Sequence, residues 1–150
     1  MRTIVLALCA FVTGALAQST SELAHLATLP PLRVSIDGAT LTGERELLPA
    51  MVGKNNAEQE ELFRAAMRPV RMGESFQLTV KSADGATVTS SPTTKYAANG
   101  CLIVSPSGFV TVTMSSSSCT MLDVSLIWVA IVGADKQTLA WNRYVFKMSQ

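Results

Sequence analysis

The sequence predicts a mainly β domain: an antiparallel β-sandwich of immunoglobulin-like or related Greek-key form, with about seven strands and one short helix near residues 56–68. Three observations lead there. Short runs alternating between apolar and polar residues recur along residues 32–150, separated by Asp-Gly, Ser-Pro-Ser-Gly and Gly-Ala-Asp-Lys turn signals. Once an N-terminal export signal is set aside, two cysteines remain, enough for one disulfide staple. Only the segment after Asn55 combines helix caps with helical spacing of apolar residues. The sequence contains no internal repeat, and a closed barrel is the alternative architecture.

Length and charge set the outer bounds. With 150 residues the chain holds one domain and little more. A net charge of +1, from 12 basic and 11 acidic residues without any like-charge run, lacks the electrostatic footprint of a nucleic-acid binder or a polybasic membrane binder. A hydrophobic content of 48% excludes disorder of the whole chain, because that much apolar surface can offset the entropy of ordering.

Residues 1–17 read as a cleaved signal peptide. Arg2 precedes an apolar run from Ile4 to Val12, and Thr13-Gly14-Ala15-Leu16-Ala17 supplies the small-residue cleavage site. This run, and the later one from Leu122 to Val132, both fall short of the roughly 20 apolar residues of a spanning helix, so no transmembrane segment is expected. Cleavage removes Arg2 and Cys9. Equal numbers of acidic and basic residues remain, with Cys101 and Cys119 as a disulfide pair in a periplasmic or secreted protein.

Residues 18–31 are expected to form a flexible lead-in or a short helical turn, ending at Pro30-Pro31. From residue 32 onward a single β-sandwich domain follows. Leu32 to Ile36 alternates with period two and stops at Asp37-Gly38, giving the first strand. Leu41 to Val52 is interrupted by Gly43 and Pro49 and reads as a weak strand or irregular crossover. Asn55-Asn56 with Glu58 and Gln59 three residues on starts a helix, Leu62, Phe63, Ala66 and Met67 share one of its faces, and Pro69 stops it. Glu58, Glu60 and Glu61 are read as its solvated face rather than as a metal or acid–base site.

Phe76, Leu78 and Val80 alternate with Gln77, Thr79 and Lys81, and Ala83-Asp84-Gly85 turns the chain into Thr87-Val88-Thr89, a first hairpin. Ser90 to Gly100 is polar and is expected to be an exposed loop. Cys101–Val104 and Phe109–Thr113 flank Ser105-Pro106-Ser107-Gly108 as a second hairpin. With Pro106-Ser107 at its centre, Cys101 lies opposite Val112. The disulfide must then tie residues 115–118, or the start of the next strand, back to Cys101. Met121–Val132 and Gln137–Met148 form a third hairpin about Gly133–Lys136. Its first arm, apolar from Ile127 to Val132, is expected to be buried on both faces. The second arm alternates, with Tyr144, Phe146 and Met148 on one side and Arg143 and Lys147 on a wet one.

The chemistry on offer is sparse. His25 is the sole imidazole and sits in the lead-in. No spacing of His, Cys, Asp or Glu matches a zinc or EF-hand site, no Gly-rich phosphate loop occurs, and nothing selects Asp84 with Asp123 as a glycosidase pair. Cys101 and Cys119 are 18 residues apart, unlike a redox CxxC. No catalytic residue, metal site or cofactor is assigned. The reading is an exported domain that binds another protein, with a carbohydrate-binding module second and a small secreted hydrolase third. The expected binding surface joins Lys95 and Tyr96, in the polar loop, to Trp141, Arg143 and Tyr144 on the last strand, since Trp, Tyr and Arg dominate interface energetics. Trp141 and Tyr144 have opposite strand parity, so only one of them is expected to face the core.

Overall fold

A computed structural model of the chain describes residues 20–88, 92–114, 119 and 124–149. The signal-peptide expectation for residues 1–17 lies outside them, as does the connection at 115–118. The described residues are mainly β, with several antiparallel sheets and three short helices.

The spine is the third expected hairpin. β9 (Val124–Val132) and β10 (Thr138–Ser149) pair antiparallel from Val132 opposite Thr138 to Val124 opposite Lys147, with one irregularity at Leu139. They form the middle of a four-stranded sheet ordered β3-β10-β9-β6, in which β3 (Arg68–Arg71) runs parallel to β10 and β6 (Thr94–Ala98) antiparallel to β9. Two three-stranded sheets accompany it. One is β2-β1-β5, from β1 (Arg33–Ile36), β2 (Ala39–Thr40) and β5 (Thr79–Lys81); the other is β4-β8-β7, from β4 (Ser75–Gln77), β7 (Leu102–Val104) and β8 (Phe109–Val112).

The alternating run from Phe76 to Val80 serves both small sheets. Ser75–Gln77 pairs with β8, Thr79–Lys81 pairs with β1, and Leu78 between them donates its N–H to the Gly108 carbonyl at 2.9 Å. Its three apolar side chains stay on one face and enter the main core together. Among the described residues, the expected return arm of this hairpin shows a bridge between Lys81 and Thr87 and a bond from the Val88 N–H to the Val80 carbonyl; Thr89 lies outside them. The second hairpin is present but shifted by one residue: Leu102, not Cys101, lies opposite Val112. Gly108, at φ 78°, adds a third residue to the turn. A type I turn closed by a left-handed glycine has this geometry.

One face of the four-stranded sheet, carrying Ile127, Val129, Tyr144 and Phe146, packs on Leu32, Val34 and Ile36, on Phe76, Leu78 and Val80, and on Leu102, Val110 and Val112. Each such fully buried apolar side chain contributes about 1.5–3 kcal/mol. The opposite face is covered by helices. α1 (Thr20–Thr28) places Leu26 against Trp141 and Ala130, while α2 (Glu44–Met51) and α3 (Asn56–Ala66) set Leu47, Met51 and Phe63 against Leu126 and Val145. The expected wet face of the last strand is therefore reduced to Lys147, which is exposed, whereas Arg143 and every other residue from Ala140 to Phe146 are buried. On β9 the covering is less complete, and Trp128 and Ile131 are half-buried.

Of the three helices, α3 is the expected one, capped by Asn55, whose side chain accepts from the Glu58 N–H while Glu58 accepts from the Asn55 N–H. Such a cap is worth about 1 kcal/mol. α1 is the helical one of the two forms expected for residues 18–31, and it is tied to the domain: the Trp141 indole N–H donates to the Leu26 carbonyl at 2.6 Å, and Arg45 reaches the carbonyls of Ala27 and Leu29. α2 corrects the expectation of a crossover at Leu41–Val52. Its start is fixed by Glu46, whose carboxylate accepts the Gly43 N–H, and Pro49 falls close enough to its end to cost a single helix bond.

The N-terminal turn of α2 is welded to β10 by buried polar groups. Asn142, with no exposed surface, donates to the Leu32 carbonyl and to Glu46, and its Oδ1 accepts the N–H groups of Arg45 and Arg143. Arg143 and Glu44 form a two-pronged ion pair, with side chains 7% and 4% exposed. The Tyr144 hydroxyl donates to the Leu32 carbonyl at 3.0 Å, and burial first, then the nearby Glu46 charge, pushes its pKa well above the phenol range. Gly43 has to be glycine for want of space, since a Cβ there would lie 2.4 Å from the Asn142 Oδ1.

Two outcomes are expected in chemical denaturation. Gly43→Ala should cost about 1–3 kcal/mol, because the contact cannot relax without moving Asn142 off its partners. Arg143→Met should cost about 3–5 kcal/mol by leaving Glu44 buried without a counter-charge, and the double change Glu44→Leu with Arg143→Met should recover most of that loss. A single variant as stable as its parent would mean that the pair is open to water.

Candidate functional site

Of the five residues expected at a binding surface, the structure puts three inside the protein. Trp141 (5% exposed), Arg143 (6%) and Tyr144 (2%) are all buried. Trp141 and Tyr144 do lie on opposite faces of β10, as parity requires, but α1 covers the former and the small sheets cover the latter. Trp141 is further enclosed between Trp128, stacked at 4.5 Å between ring centroids, and the Arg45 guanidinium, 4.7 Å above its ring.

Lys95 and Tyr96 lie elsewhere, and not in a loop. Thr94–Ala98 is strand β6, paired with β9 from Thr94 opposite Ile131 to Ala98 opposite Ile127. Thr-Lys-Tyr-Ala-Ala has weak β propensity and no alternating apolar pattern, so the pairing is imposed by β9. Asn99 extends it: its N–H donates to the Leu126 carbonyl and its side-chain oxygen accepts the Leu126 N–H at 2.7 Å.

After Asn99-Gly100 the chain doubles back into β7. The corner is held by Cys101, whose disulfide to Cys119 has a Cα–Cα distance of 4.6 Å and whose N–H donates to the buried Ser125 hydroxyl. A cross-link closing a loop of this size contributes about 3 kcal/mol. Between β6 and β7 lies a cleft of about 390 Å³, lined by Pro92, Thr94, Lys95 and Tyr96 on one side and by Val104, Ser105 and Pro106 on the other. The Lys95 side chain is exposed, and no ion pair joins it to a carboxylate among the described residues. Tyr96 is half-buried and packs against the main core. Its hydroxyl is buried without a hydrogen-bond partner, and burial raises its pKa, so the phenol stays neutral.

The remaining chemistry is dispersed. His25 is exposed on α1. The Asp84 carboxylate is held below the usual range by the Ser82 hydroxyl and the Ala86 N–H and closes a turn, while Asp123 lies outside the described residues. Among the described residues no group of three or more His, Cys, Asp or Glu could share a metal ion. What the cleft offers is recognition: a lining of mixed polar and apolar side chains, one cation and strand edges. Sequence reasoning missed Val104, Ser105 and Pro106 as lining, because only the fold brings the turn of the second hairpin beside β6.

The sequence matches no known family model and no curated protein. The disulfide fits an oxidising extracytoplasmic location. Among the described residues no helix is long and apolar enough to cross a membrane.

The phenol supplies a test that separates strand from loop. Tyr96→Ala should cost about 2–3 kcal/mol as a packed aromatic is lost, whereas Tyr96→Phe should be neutral or stabilising by up to about 1 kcal/mol, since it removes a hydroxyl without a partner. Lys95→Ala should stay within about 0.5 kcal/mol of the parent. Thermal and denaturant unfolding of the three variants checks this, and a harmless Tyr96→Ala would put the side chain in solvent.

Proposed function

We propose that the chain is exported, loses residues 1–17, and works in the periplasm or outside the cell as a small β-sandwich domain of immunoglobulin-like or related Greek-key form that binds another protein through the cleft between β6 and β7. The sandwich reading is supported by the apolar core that the four-stranded sheet shares with the two smaller ones. The observation that carries the functional reading is Lys95: an exposed cation without a counter-charge among the described residues, at the rim of a cleft of mixed polar and apolar lining whose corner a disulfide holds in place. A site anchored in this way loses little entropy on binding. The carbohydrate-binding alternative loses support because the aromatic side chains that would stack on a sugar, Trp141 and Tyr144, are buried.

The test compares the mature protein with Lys95→Glu as bait in an extract of the source organism's exported proteins, with the same two samples run on a glycan array. A discrete protein retained by the parent and lost with Lys95→Glu, at unchanged melting temperature, is expected. Glycan signals without a protein partner would reverse the order of the two readings.

A further inference from the structure

We propose that the partner is bound by strand addition: an extended segment of another protein, with acidic and apolar residues in alternation, pairs with the outer edge of β6. This rests on the protein-binding reading above and specifies how that site works.

The argument starts from hydrogen-bond parity. The Val132 N–H donates to the Thr93 carbonyl and the Asn99 N–H to the Leu126 carbonyl, and the register between them is unbroken. In an antiparallel pair the residues that exchange bonds alternate. Lys95 and Ala97 therefore spend their main-chain groups on β9, and Thr94, Tyr96 and Ala98 direct theirs the other way. β7 obeys the same rule. Thr113 donates to the Cys101 carbonyl and Ser105 to the Phe109 carbonyl, so Leu102 and Val104 direct their N–H and C=O groups away from β8. β6 ends one sheet and β7 ends another, and among the described residues no strand pairs with either free edge. Main-chain groups without partners on a strand edge are a template for a further strand.

The cleft lies between these edges; Thr94 is buried with its hydroxyl on the Val88 carbonyl, so the accessible stretch of β6 runs from Lys95 to Ala98. Its corner at Asn99–Cys101 is fixed by both bonds of Asn99 to Leu126 and by the disulfide, so the edge is already in strand conformation before anything binds. Side chains set the chemistry of the occupant. An added strand shares the faces of β6: one presents Lys95 and Ala97, both exposed, and the other Tyr96, beside Val104. Acidic residues suit the first face and apolar residues the second. A second copy of this chain suits it poorly, because two-fold pairing through Tyr96 would bring two Lys95 ammonium groups onto one face.

The experiment uses the mature protein and a displayed library of short peptides with alternating acidic and apolar positions. A selected peptide is then resynthesised with single backbone N-methyl groups at each position in turn, and binding is measured by titration to the parent, to Lys95→Glu and to Ala98→Pro. Ala98→Pro deletes an outward N–H and none of the bonds to β9, a change an edge strand accommodates. The expected result is a loss of affinity of about tenfold or more at every second N-methyl position, with those between tolerated, and a similar loss in both protein variants at unchanged melting temperature. The N-methyl series needs no protein variant, so the answer survives if Ala98→Pro fails to fold. Binding without the period-two pattern overturns strand addition and leaves the protein-binding reading standing. A library from which nothing binds overturns it too, and the bait experiment above then decides separately whether any protein is bound. Concentration-dependent dimers of the parent, abolished by Ala98→Pro, would make the occupant a second copy and overturn the proposal.

Discussion

Asn142 is the constraint on which the rest of the molecule leans. A strand buried on both faces needs neighbours at its edge as well as above and below, and β10 finds them in pieces. Beside Trp141 runs the segment from Pro30 to Leu32, and beside Phe146–Ser149 runs β3. Between the two, the side-chain amide of Asn142 takes on the bonds of Leu32, Arg45 and Glu46 that a continuous neighbouring strand would otherwise satisfy. An amide with two donors and two acceptor lone pairs can do this, and no apolar residue of the same size could, because buried main-chain groups would be left without partners. The same amide seats α2, which with α3 turns a half-wet strand into a covered one. Arg143 and Glu44 can pair in the interior only because that seat is fixed.

The free edges follow from the same economy of partners. The helices cover one face of the four-stranded sheet and the small sheets cover the other, but neither layer closes the sheet laterally on the β6 side. The run from Phe76 to Lys81 divides one extended stretch between two sheets and ends each of them. β6 and β7 are left as neighbours that meet at a corner without pairing, and the disulfide anchors that corner. A lysine on such an edge disfavours uncontrolled association while leaving a complementary segment free to add.

Where pattern and packing agree, the fold was legible in the sequence. The Asn55 cap with Glu58, the apolar face of α3, the stop at Pro69, the pairing of Cys101 with Cys119 and the β9–β10 hairpin all follow from local chemistry, and the structure has them. The misses have a common cause: distant parts of the chain override local signals. Gly43 and Pro49 argue against a helix at Leu41–Val52, yet the bonds of α2 to Asn142 and Arg143 span about a hundred residues and hold one there. Thr94–Ala98 is a strand because β9 lies beside it. Arg143 looked like a wet residue because its counter-charge is 99 positions away. The Glu three residues after Gly43 was the one local hint of α2, a capping spacing in a stretch otherwise read as irregular. For the candidate site, Lys95 and Tyr96 could be picked out as unusual, but the opposing wall at Val104–Pro106 exists only in three dimensions.

The position of β10 along the chain has a consequence for how the molecule comes to be. It is the last described strand, and the earliest parts of the fold depend on it: Leu26 bonds to Trp141 across 115 positions, and Leu32 bonds to Asn142 and Tyr144 across 110 and 112. Until residues 138–149 emerge from the ribosome, α1 and α2 lack the strand they are bonded to, although β1 already has β5 to pair with. Contacts so far apart in sequence slow folding. A chain built this way holds its first helix in place only after the β9–β10 hairpin exists, so the order of assembly runs against the order of synthesis.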